Sequence, residues 1–563
     1  MNFFRPLFIF TIVLVFPHQF LRAESKTNLI TREVVADAEK IIGLKFSDKK
    51  RDMMLDGLNG RLESYETIRA QKIPYTTPPA VLFNPIPVGF KFGTNFKKPK
   101  WSSPGKIKAP TNIEDVAFYS IGQLASLIKS RKITSEELTR MYLARLKKYG
   151  PKLECVITLT EDLALEQARR ADREIATGKY RGQLHGIPYG AKDLLSTKGI
   201  PTTWGSVLFK EQVFDEDATV IKRLEKAGAV LVAKTTMGEL AWGDVWFGGL
   251  TRNPWNPKEG SSGSSAGSSA GTSAGLFAFA IGSETDGSIL SPVGVCGVTG
   301  LRPTYGRVSR TGVMSLSWTM DKLGPICRTV EDCALVFNAI YGADGVDQTL
   351  YDAPFNYRPK VDLRKLRIGY LKYDFDKEKD RTNDLASLAV LELLGAKLIP
   401  IELPKYPVDD ISFVLSTEGA AAFDELTRSN RDDLMVRQIK NAWPNVFRKA
   451  RFVPAVEYLQ AQRIRYLLIQ DMAKLMKNID VYVAPLDEGD NVLLTNLTGH
   501  PAIGLPNGFS NAGTPTSINF VGKLFGEADL LAVAKAFQDA TDFHLKHPDM
   551  DKGLRAPNAE AAK

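Results

Sequence analysis

The sequence predicts an α/β fold: a large, mostly buried mixed β-sheet covered by helices on both faces, preceded by a helical N-terminal extension. Three observations predict it. From Ser120 onward, segments with helical periodicity alternate with short segments typical of strands. Several of these strand segments are apolar throughout, as expected of strands buried on both faces. Gly228 and Gly395 each stand between a helical segment and a strand segment, which is typical of αβ units.

The leading section, residues 24–115, is predicted to lie outside this alternation. Its first half is predicted to be helical from Thr31 through Tyr65. Its second half contains the stretch TTPPAVLFNPIPVGFKFGTNFKKPKWSSPGKIKAP, which holds too many prolines for regular helices or strands. We interpret this second half as an arm that wraps around the following domain.

The alternating region, residues 116–548, is predicted to form one catalytic domain, followed by a polar tail at 549–563. Thr134 and Glu137 form a capping box for its first long helix, which Gly150-Pro151 is predicted to end. The remaining predicted elements are strands at 153–159, 229–233, 276–281, 365–371, 397–403 and 480–485 and helices at 162–177, 218–227 and 385–394.

The first residues, MNFFRPLFIFTIVLVFPHQFLRAES, are typical of a secretory signal peptide. Arg5 precedes the apolar run Leu7 to Phe16, and Ala23 offers a small residue for cleavage. The run is short for a membrane span and is interrupted by Pro17. We therefore expect residues 1–23 to be removed and the protein to be periplasmic or secreted, and a retained anchor is the less favoured interpretation.

Length and composition are typical of a globular protein with a large core, since 44% of the 563 residues are hydrophobic and 24% charged. The 73 Lys and Arg residues outnumber the 64 Asp and Glu residues, but they are spread along the chain. A diffuse surplus argues only weakly for nucleic acid or an anionic membrane as a partner. We expect neither a nucleic-acid partner nor a stable membrane span after signal cleavage.

The cysteines and histidines form no metal-binding pattern, so neither a metal nor a cofactor is expected. No cysteine has CxxC spacing, and the five histidines are scattered. An oxidising compartment would permit disulfides, and three full pairings are open. Buried free thiols are the favoured interpretation for the four cysteines, Cys155, Cys296, Cys327 and Cys333.

A Gly/Ser-rich tract, GSSGSSAGSSAGTSAG, runs from Gly260 to Gly275. Its composition alone is typical of a flexible linker. However, it lies inside the alternating region, between an aromatic, turn-rich segment and the strand segment Leu276 to Ile281. Because small residues allow close approach of the backbone, we interpret the tract as a packed or functional loop.

The pattern G-x-S-x-G, typical of the nucleophile elbow of α/β-hydrolases, occurs three times in this tract. An elbow needs a strand directly before its serine. The nearby Pro254 and Pro257 exclude a central strand there. A Ser-His-Asp esterase of the α/β-hydrolase type, with His500 as its histidine, is therefore a less favoured alternative.

Three motifs together resemble the amidase signature family: GIPYGAKD at 186–193, GSSGSSAG at 260–267 and GSETDGSI at 282–289. The similarity continues, in the same order, through GVTGLRPTYGRVSRTG, MDKLGPICRTVEDCALV and TNLTGHPAIGLPNGF, and extends from about Ser120 to about His544. Each string alone is a weak signal, and their joint occurrence in order makes the resemblance specific. It implies the amidase signature fold.

The resemblance also implies a Ser-cisSer-Lys triad. Lys192 matches the family's base, Ser264 the bridging serine, which follows a cis peptide bond from Gly263, and Ser288 the nucleophile. The oxyanion would be bound by backbone N–H groups of the turn Thr285, Asp286, Gly287 and Ser288. Gly287 suits such a turn because glycine adopts φ values that other residues avoid.

The chemical requirements of amide hydrolysis explain the role of each residue in such a triad. Attack on the amide needs a deprotonated hydroxyl, and a neutral lysine can be the base if burial lowers its pKa from about 10.4. The proton would pass from Ser288 through Ser264 to Lys192 and later to the leaving amine, and water would then hydrolyse the acyl-enzyme. Each residue alone has an ordinary structural interpretation, so the prediction depends on the set.

The sequence departs from the commonest family pattern beside the nucleophile. Asp286 stands where many members have a glycine, and Leu290 where many have an arginine. Asp286 adds a charge close to the reaction centre. The charge preferred in the substrate therefore stays open.

We expect an exported amidase acting on a small-molecule carboxamide, with esters or carbamates as further substrates and a homodimer as the family-level expectation. The alternatives are the glutaminase subunit of a tRNA-dependent amidotransferase and a non-catalytic binding protein. The former works beside partner subunits in the cytosol, and the export signal argues against it. The presence of all three triad residues argues against the latter.

Overall fold

The structure is a computed structural model that describes residues 29–75, 77–377, 382–486 and 490–551. The predicted signal peptide, residues 1–23, and most of the predicted C-terminal tail lie outside these ranges. The chain divides into two compact units, with the boundary between Ile73 and Pro74. The proline-rich arm therefore belongs to the larger unit, together with the catalytic region.

The smaller unit contains two helices, α1 (Arg32–Ile42) and α2 (Asp48–Arg69). Helical structure was predicted here from Thr31 through Tyr65. The helix is broken at Gly43, which has a left-handed φ of 69° and ends α1. The buried carboxylate of Glu39 in α1 accepts a hydrogen bond of 2.7 Å from Arg51 of α2.

The larger unit is built on an 11-stranded mixed sheet, as predicted from the sequence. The strands of the chain are β1 (Val156–Leu159), β2 (Pro188–Lys192), β3 (Val230–Thr235), β4 (Val245–Trp246), β5 (Gly249–Leu250), β6 (Phe279–Glu284), β7 (Thr299–Arg302), β8 (Lys322–Cys327), β9 (Ile368–Leu371), β10 (Leu398–Ile401), β11 (Val481–Pro485), β12 (Ala502–Phe509) and β13 (Pro515–Gly522). The order in the sheet is β1-β3-β2-β6-β8-β7-β12-β13-β11-β9-β10, while β4 and β5 form a separate hairpin.

The larger unit also contains many helices, some of which pack against the sheet and others against neighbouring helices. They are α3 (Ile121–Lys129), α4 (Ser135–Leu153), α5 (Glu161–Ala176), α6 (Thr219–Ala227), α7 (Ala266–Ser273), α8 (Leu290–Cys296), α9 (Val330–Ile340), α10 (Lys372–Asp376), α11 (Thr382–Leu393), α12 (Val408–Ile411), α13 (Phe413–Ala422), α14 (Asp424–Arg428), α15 (Trp443–Ala450), α16 (Ala455–Lys477), α17 (Asn491–Thr498) and α18 (Glu527–Asp539). Among the described residues, no helix is both long and apolar enough to cross a bilayer.

Several element boundaries differ from the prediction by a few residues, and two of these differences have a clear structural reason. Helix α4 does not end at Gly150-Pro151 but continues to Leu153. Pro151 lies in its last turn, where the missing N–H removes a single hydrogen bond, and the extra residues bury the Leu153 side chain. Strand β6 begins at Phe279, later than predicted, because the residues before it turn to bury Phe277.

The sheet topology determines where functional groups can meet. Strands β2 and β6 are adjacent and parallel, with Tyr189 opposite Phe279. Carboxyl ends of parallel strands lie at the same edge of a sheet, which is where α/β folds place their sites. Lys192 is the last residue of β2 and Glu284 the last of β6, so the side chains after both strands converge.

The proline-rich arm contacts separate parts of the larger unit. The main-chain N–H of Val88 donates to Gln470, that of Lys100 to the carbonyl of Tyr357, and that of Ser102 to Glu331. The arm is thus held by main-chain hydrogen bonds although it has no regular secondary structure. The four cysteines lie elsewhere in the same unit, and all of them are buried free thiols.

Candidate active site

Lys192 ends β2 inside the protein, with its side chain fully buried. Its Nζ lies 2.8 Å from Ser264 Oγ, 2.8 Å from Ser283 Oγ and 3.1 Å from Ser265 Oγ. The surroundings are therefore uncharged oxygens. A neutral amine fits them, because it can donate two N–H groups and accept one hydroxyl proton on its lone pair.

Burial lowers the pKa of Lys192 well below its ordinary value, and the more distant charges of Asp321 and Glu284 oppose this only in part. A neighbouring lysine shows the contrast. Lys234, equally buried, makes an ion pair of 2.8 Å with Asp193. Among the described residues, no carboxylate lies within ion-pair distance of Lys192. The fold thus gives one buried amine a carboxylate partner and favours the neutral form of the other.

The Gly/Ser-rich tract is part of the core and not a linker. Its second half forms helix α7, in which every residue is buried. A methyl group at Gly267 would lie 2.3 Å from the carbonyl oxygen of Cys155, and one at Gly263 would lie 1.8 Å from that of Gly243. Small residues are required because the backbone of the tract packs directly on other backbone.

The start of this tract places a serine against Lys192. The peptide bond between Gly263 and Ser264 is cis, which the family resemblance implied. The Ser264 hydroxyl bonds to Lys192. Within the described residues it has no other hydrogen bond. The Ser265 hydroxyl, in contrast, also donates to the carbonyl of Ser283 and accepts from its N–H. The hydroxyls of Ser264 and Ser283 therefore keep a free hydrogen-bonding position, and Ser264 is the one whose neighbour Ser265 bonds through its N–H to the nucleophile turn.

Ser288 lies on the turn between β6 and α8 and is largely buried. Its carbonyl accepts a hydrogen bond of 3.1 Å from the N–H of Ser265, which brings the turn next to the Ser264-Ser265 pair. Among the described residues, no hydrogen bond joins the hydroxyls of Ser264 and Ser288. The structure thus brings Lys192 and Ser264 into direct contact and places Ser288 beside them.

The conformation of this turn suits an oxyanion site. Gly287 has φ of 74°, and a methyl group there would find its nearest neighbour at 3.7 Å, so the backbone conformation and not space requires glycine. Within the described chain, the N–H groups of Asp286, Gly287 and Ser288 donate no hydrogen bond. They remain available to stabilise a developing negative charge.

A buried carboxylate that the sequence did not single out holds the turn in place. Glu284 accepts hydrogen bonds from the N–H groups of Ile289 and Leu290, at 2.8 and 2.9 Å. It also accepts from Arg302 at 2.8 Å and from Asn496 at 2.9 Å. Burial alone would raise the pKa of Glu284, but Arg302 and these donors outweigh it and lower the pKa. Arg302 thus supplies a positive partner although Leu290 stands at the expected arginine position.

Ser265 and Ser283 were also missed as partners of Lys192. Ser283 could have been found from the sequence. It lies on the same face of strand β6 as Ile281, and this strand leads directly into the nucleophile turn. Ser265 could not have been separated from the other serines of the tract by spacing alone. Arg302 and Asn496 come from distant segments, so only the folded structure brings them to Glu284.

Asp286 stands two residues before the nucleophile on the same turn. Desolvation, followed by the charge of Glu284, raises the pKa of Asp286 to about 6. A narrow cavity adjoins Ser283 and Thr285, with apolar walls that include Leu194 and Met314. The aromatic side chains of the segments around the tract do not line it.

The alternative centred on His500 lacks support in the geometry. The His500 ring is buried and shares a hydrogen bond of 2.8 Å with Thr498. Burial, followed by the charge of Arg302, lowers the pKa of His500 to about 3. The G-x-S-x-G serines lie in or beside α7, which no strand precedes directly. In the described residues there is also no cluster of three or more His, Cys, Asp or Glu side chains that could hold a metal.

Comparison with known proteins shows the family to which the chain belongs. The amidase family model matches residues 137–531. A glutamyl-tRNA(Gln) amidotransferase subunit from Marinomonas sp. (strain MWYL1) is 35% identical over 483 residues, which cover 77% of this chain and 99% of the relative. The native peptide amidase from Stenotrophomonas maltophilia is 28% identical, with a TM-score of 0.69 over 77% of this chain and 99% of that one.

An amidase family protein from Bacillus anthracis str. Ames is 29% identical, with a TM-score of 0.70 over 77% of this chain and 93% of that one. The fold and the family match define a hydrolase that acts on carbon–nitrogen bonds. The chain belongs to the amidase family, in its amidase signature branch, as its motifs predicted.

Proposed function

We propose that this chain hydrolyses a carboxamide through an acyl-enzyme on Ser288, with Lys192 as general base acting through Ser264. The observation that carries the proposal is the fully buried Lys192 amine, surrounded by serine oxygens and without a carboxylate partner among the described residues. Such an amine favours its neutral, basic form. Ser264 contacts this amine directly, and its neighbour Ser265 donates its N–H to the carbonyl of Ser288.

The steps follow from this arrangement. Lys192 removes the proton of Ser264 as Ser264 takes that of Ser288, whose oxygen attacks the carbonyl carbon. The N–H groups of the turn stabilise the negative charge on the carbonyl oxygen. The proton returns through Ser264 to the departing amine as the carbon–nitrogen bond breaks. Water then attacks the ester carbonyl carbon while its proton passes through Ser264 to Lys192. The bond between the acyl carbon and the Ser288 oxygen breaks, the carboxylic acid leaves, and the proton returns through Ser264 to Ser288.

A serine series tests this assignment with a panel of fluorogenic amides and esters. Ser288→Ala and Lys192→Ala are expected to abolish amide hydrolysis. Ser264→Ala is expected to lower kcat by about a hundredfold or more, the range typical of general acid–base catalysis. The matched control is Ser269→Ala in α7, a buried serine that makes no hydrogen bond to Lys192. Full activity in Lys192→Ala, or equal losses in Ser264→Ala and Ser269→Ala, would contradict the assignment.

A second candidate function is release of ammonia from glutamine for a tRNA-dependent amidation. It is favoured by the curated relatives, which are amidotransferase subunits covered almost completely by this chain. The test is glutamine hydrolysis by the purified chain, with and without a tRNA charged with glutamate and candidate partner subunits. Hydrolysis of glutamine only in that mixture would favour the amidotransferase over a stand-alone amidase.

The fate of residues 1–23 offers a second way to distinguish the two candidate functions. We propose that these residues direct export, which fits a stand-alone enzyme. The support is their sequence pattern. N-terminal sequencing of the protein expressed with its own leader is expected to find cleavage near Ala23, with the product outside the cytoplasm. An intact leader on a cytoplasmic protein would favour the amidotransferase function.

A further inference from the structure

In the proline-rich arm, the ring of Phe83 packs on the guanidinium of the buried Arg465. The arm precedes residues 137–531, which the family model matches. The guanidinium carbon of Arg465 lies 3.6 Å from the ring centroid of Phe83. The Phe83 ring also makes an edge contact with Tyr305, with centroids 5.0 Å apart. A guanidinium attracts the face of an aromatic ring strongly when water is excluded. The contact with Phe83 therefore helps to fix the position of the Arg465 side chain.

Arg465 is fully buried in α16, and within the described part of the chain it has no carboxylate partner. Its Nε donates to the carbonyl of Leu497 at 2.5 Å, and its two terminal nitrogens donate to the hydroxyl and the carbonyl of Thr319. The ring of Phe83 therefore completes the surroundings of a buried positive charge. Loss of the ring would remove the contact on one side of Arg465, while its hydrogen bonds to Leu497 and Thr319 would remain.

Leu497 belongs to α17, and its neighbour Asn496 reaches the nucleophile turn. Asn496 donates to Glu284, which in turn accepts from the two N–H groups that follow Ser288. The arm also packs against the end of this helix, since a methyl group at Gly499 would lie 3.1 Å from Pro85. A continuous series of contacts thus joins Phe83 to the turn.

We propose that Phe83 is a positioning residue for the nucleophile turn, acting through Arg465, α17 and Glu284. The arm is then part of the catalytic apparatus and not merely a covering segment. Small displacements of a nucleophile lower the rate of reaction strongly even when substrate still binds. The inference rests on the proposed function of Ser288.

The test is a set of arm variants assayed on an amide that the wild type hydrolyses. Phe83→Ala is expected to lower kcat about tenfold with KM within about twofold of wild type, and to slow fluorophosphonate labelling of Ser288 similarly. Phe83→Trp, which keeps an aromatic face over Arg465, is expected to recover most of kcat. The matched control is Phe92→Ala, which removes a half-buried arm aromatic packed on Phe525 and Tyr351, and is expected to keep kcat within about twofold.

A double-mutant cycle with Asn496→Ala checks the connection. The losses of kcat in Phe83→Ala and Asn496→Ala are expected to be far from multiplicative, because both act through Glu284. Equal losses in Phe83→Ala and Phe92→Ala, no loss in Phe83→Ala, or strictly multiplicative losses would overturn the inference. A wild type that does not react with the probe would instead overturn the proposed function.

Discussion

At the scale of single residues, the site depends on the protonation of one amine. Lys192 must be neutral to accept a proton, and its burial lowers its pKa. Its hydrogen-bond partners are hydroxyls and a carbonyl, none of which stabilises an ammonium as a carboxylate would. The same burial that excludes water from the amine therefore makes it a base.

The pH dependence of kcat/KM tests this state of Lys192. The neutral amine is lost as pH falls through its lowered pKa, so kcat/KM is expected to fall on the acid side, with a midpoint well below the ordinary lysine pKa. The measurement is a pH profile on a neutral amide, with Asp286→Asn as a control for the carboxyl whose pKa is about 6. An activity that rises only near the ordinary lysine pKa of about 10.4 would exclude a depressed base.

Asp286 is expected to select against negatively charged substrates. Above its pKa of about 6 it carries a charge beside the reaction centre. Two charges about 4 Å apart in water interact by about 1 kcal/mol, or about fivefold in rate. Asp286→Asn is therefore expected to raise kcat/KM severalfold for an anionic amide and little for a neutral one, measured at pH 8. An equal change for both substrates would show that Asp286 acts on conformation and not on charge.

At the scale of elements, the Gly/Ser-rich tract forms a helix because of packing and not because of propensity. Helix α7 contains glycines and serines that favour other conformations. It is held between the turn after β3 and the strands below it, where Gly267 donates its N–H to the carbonyl of Thr236. Composition alone is typical of a linker. The position of the tract between elements of one domain correctly predicts that it is packed.

Gly267→Ala is expected to destabilise the larger unit by about 1–3 kcal/mol, as overpacking does, because its methyl group would lie 2.3 Å from the carbonyl oxygen of Cys155. The measurement is urea unfolding. The matched control is Gly122→Ala in α3, where the nearest atom to the new methyl group lies at 3.9 Å; it is expected to be neutral or stabilising. A neutral Gly267→Ala would show that α7 packs more loosely than described.

The sequence predicts local elements better than their ends. Glu137 and Thr134 mark the start of α4 correctly, because a capping box is a local interaction. The end of α4 depends on burial of Leu153, which no neighbour in sequence reveals. In the same way the motifs identify Lys192, Ser264 and Ser288, whereas Arg302 and Asn496 reach Glu284 from far along the chain. The contribution of Arg302 and Asn496 can be recognised only in the folded structure.

At the scale of the whole molecule, one family accommodates both a peptide amidase and part of a tRNA-linked amidotransferase, which are named among its relatives. The shared fold explains the common chemistry, and the surroundings of the site distinguish the substrates. The leading residues before 137 lie outside the family match, which covers residues 137–531. They contain the predicted leader and the arm that contacts Arg465.

The central claim is that Ser288 becomes acylated because the neutral Lys192 draws away its proton. The most direct measurement is mass spectrometry of tryptic peptides after the protein reacts with a fluorophosphonate, in wild type and in Lys192→Ala. The wild type is expected to carry the adduct on Ser288, and Lys192→Ala to react at least a hundredfold more slowly. An adduct on another serine in an amide-hydrolysing wild type, or unchanged labelling in Lys192→Ala, would contradict the account.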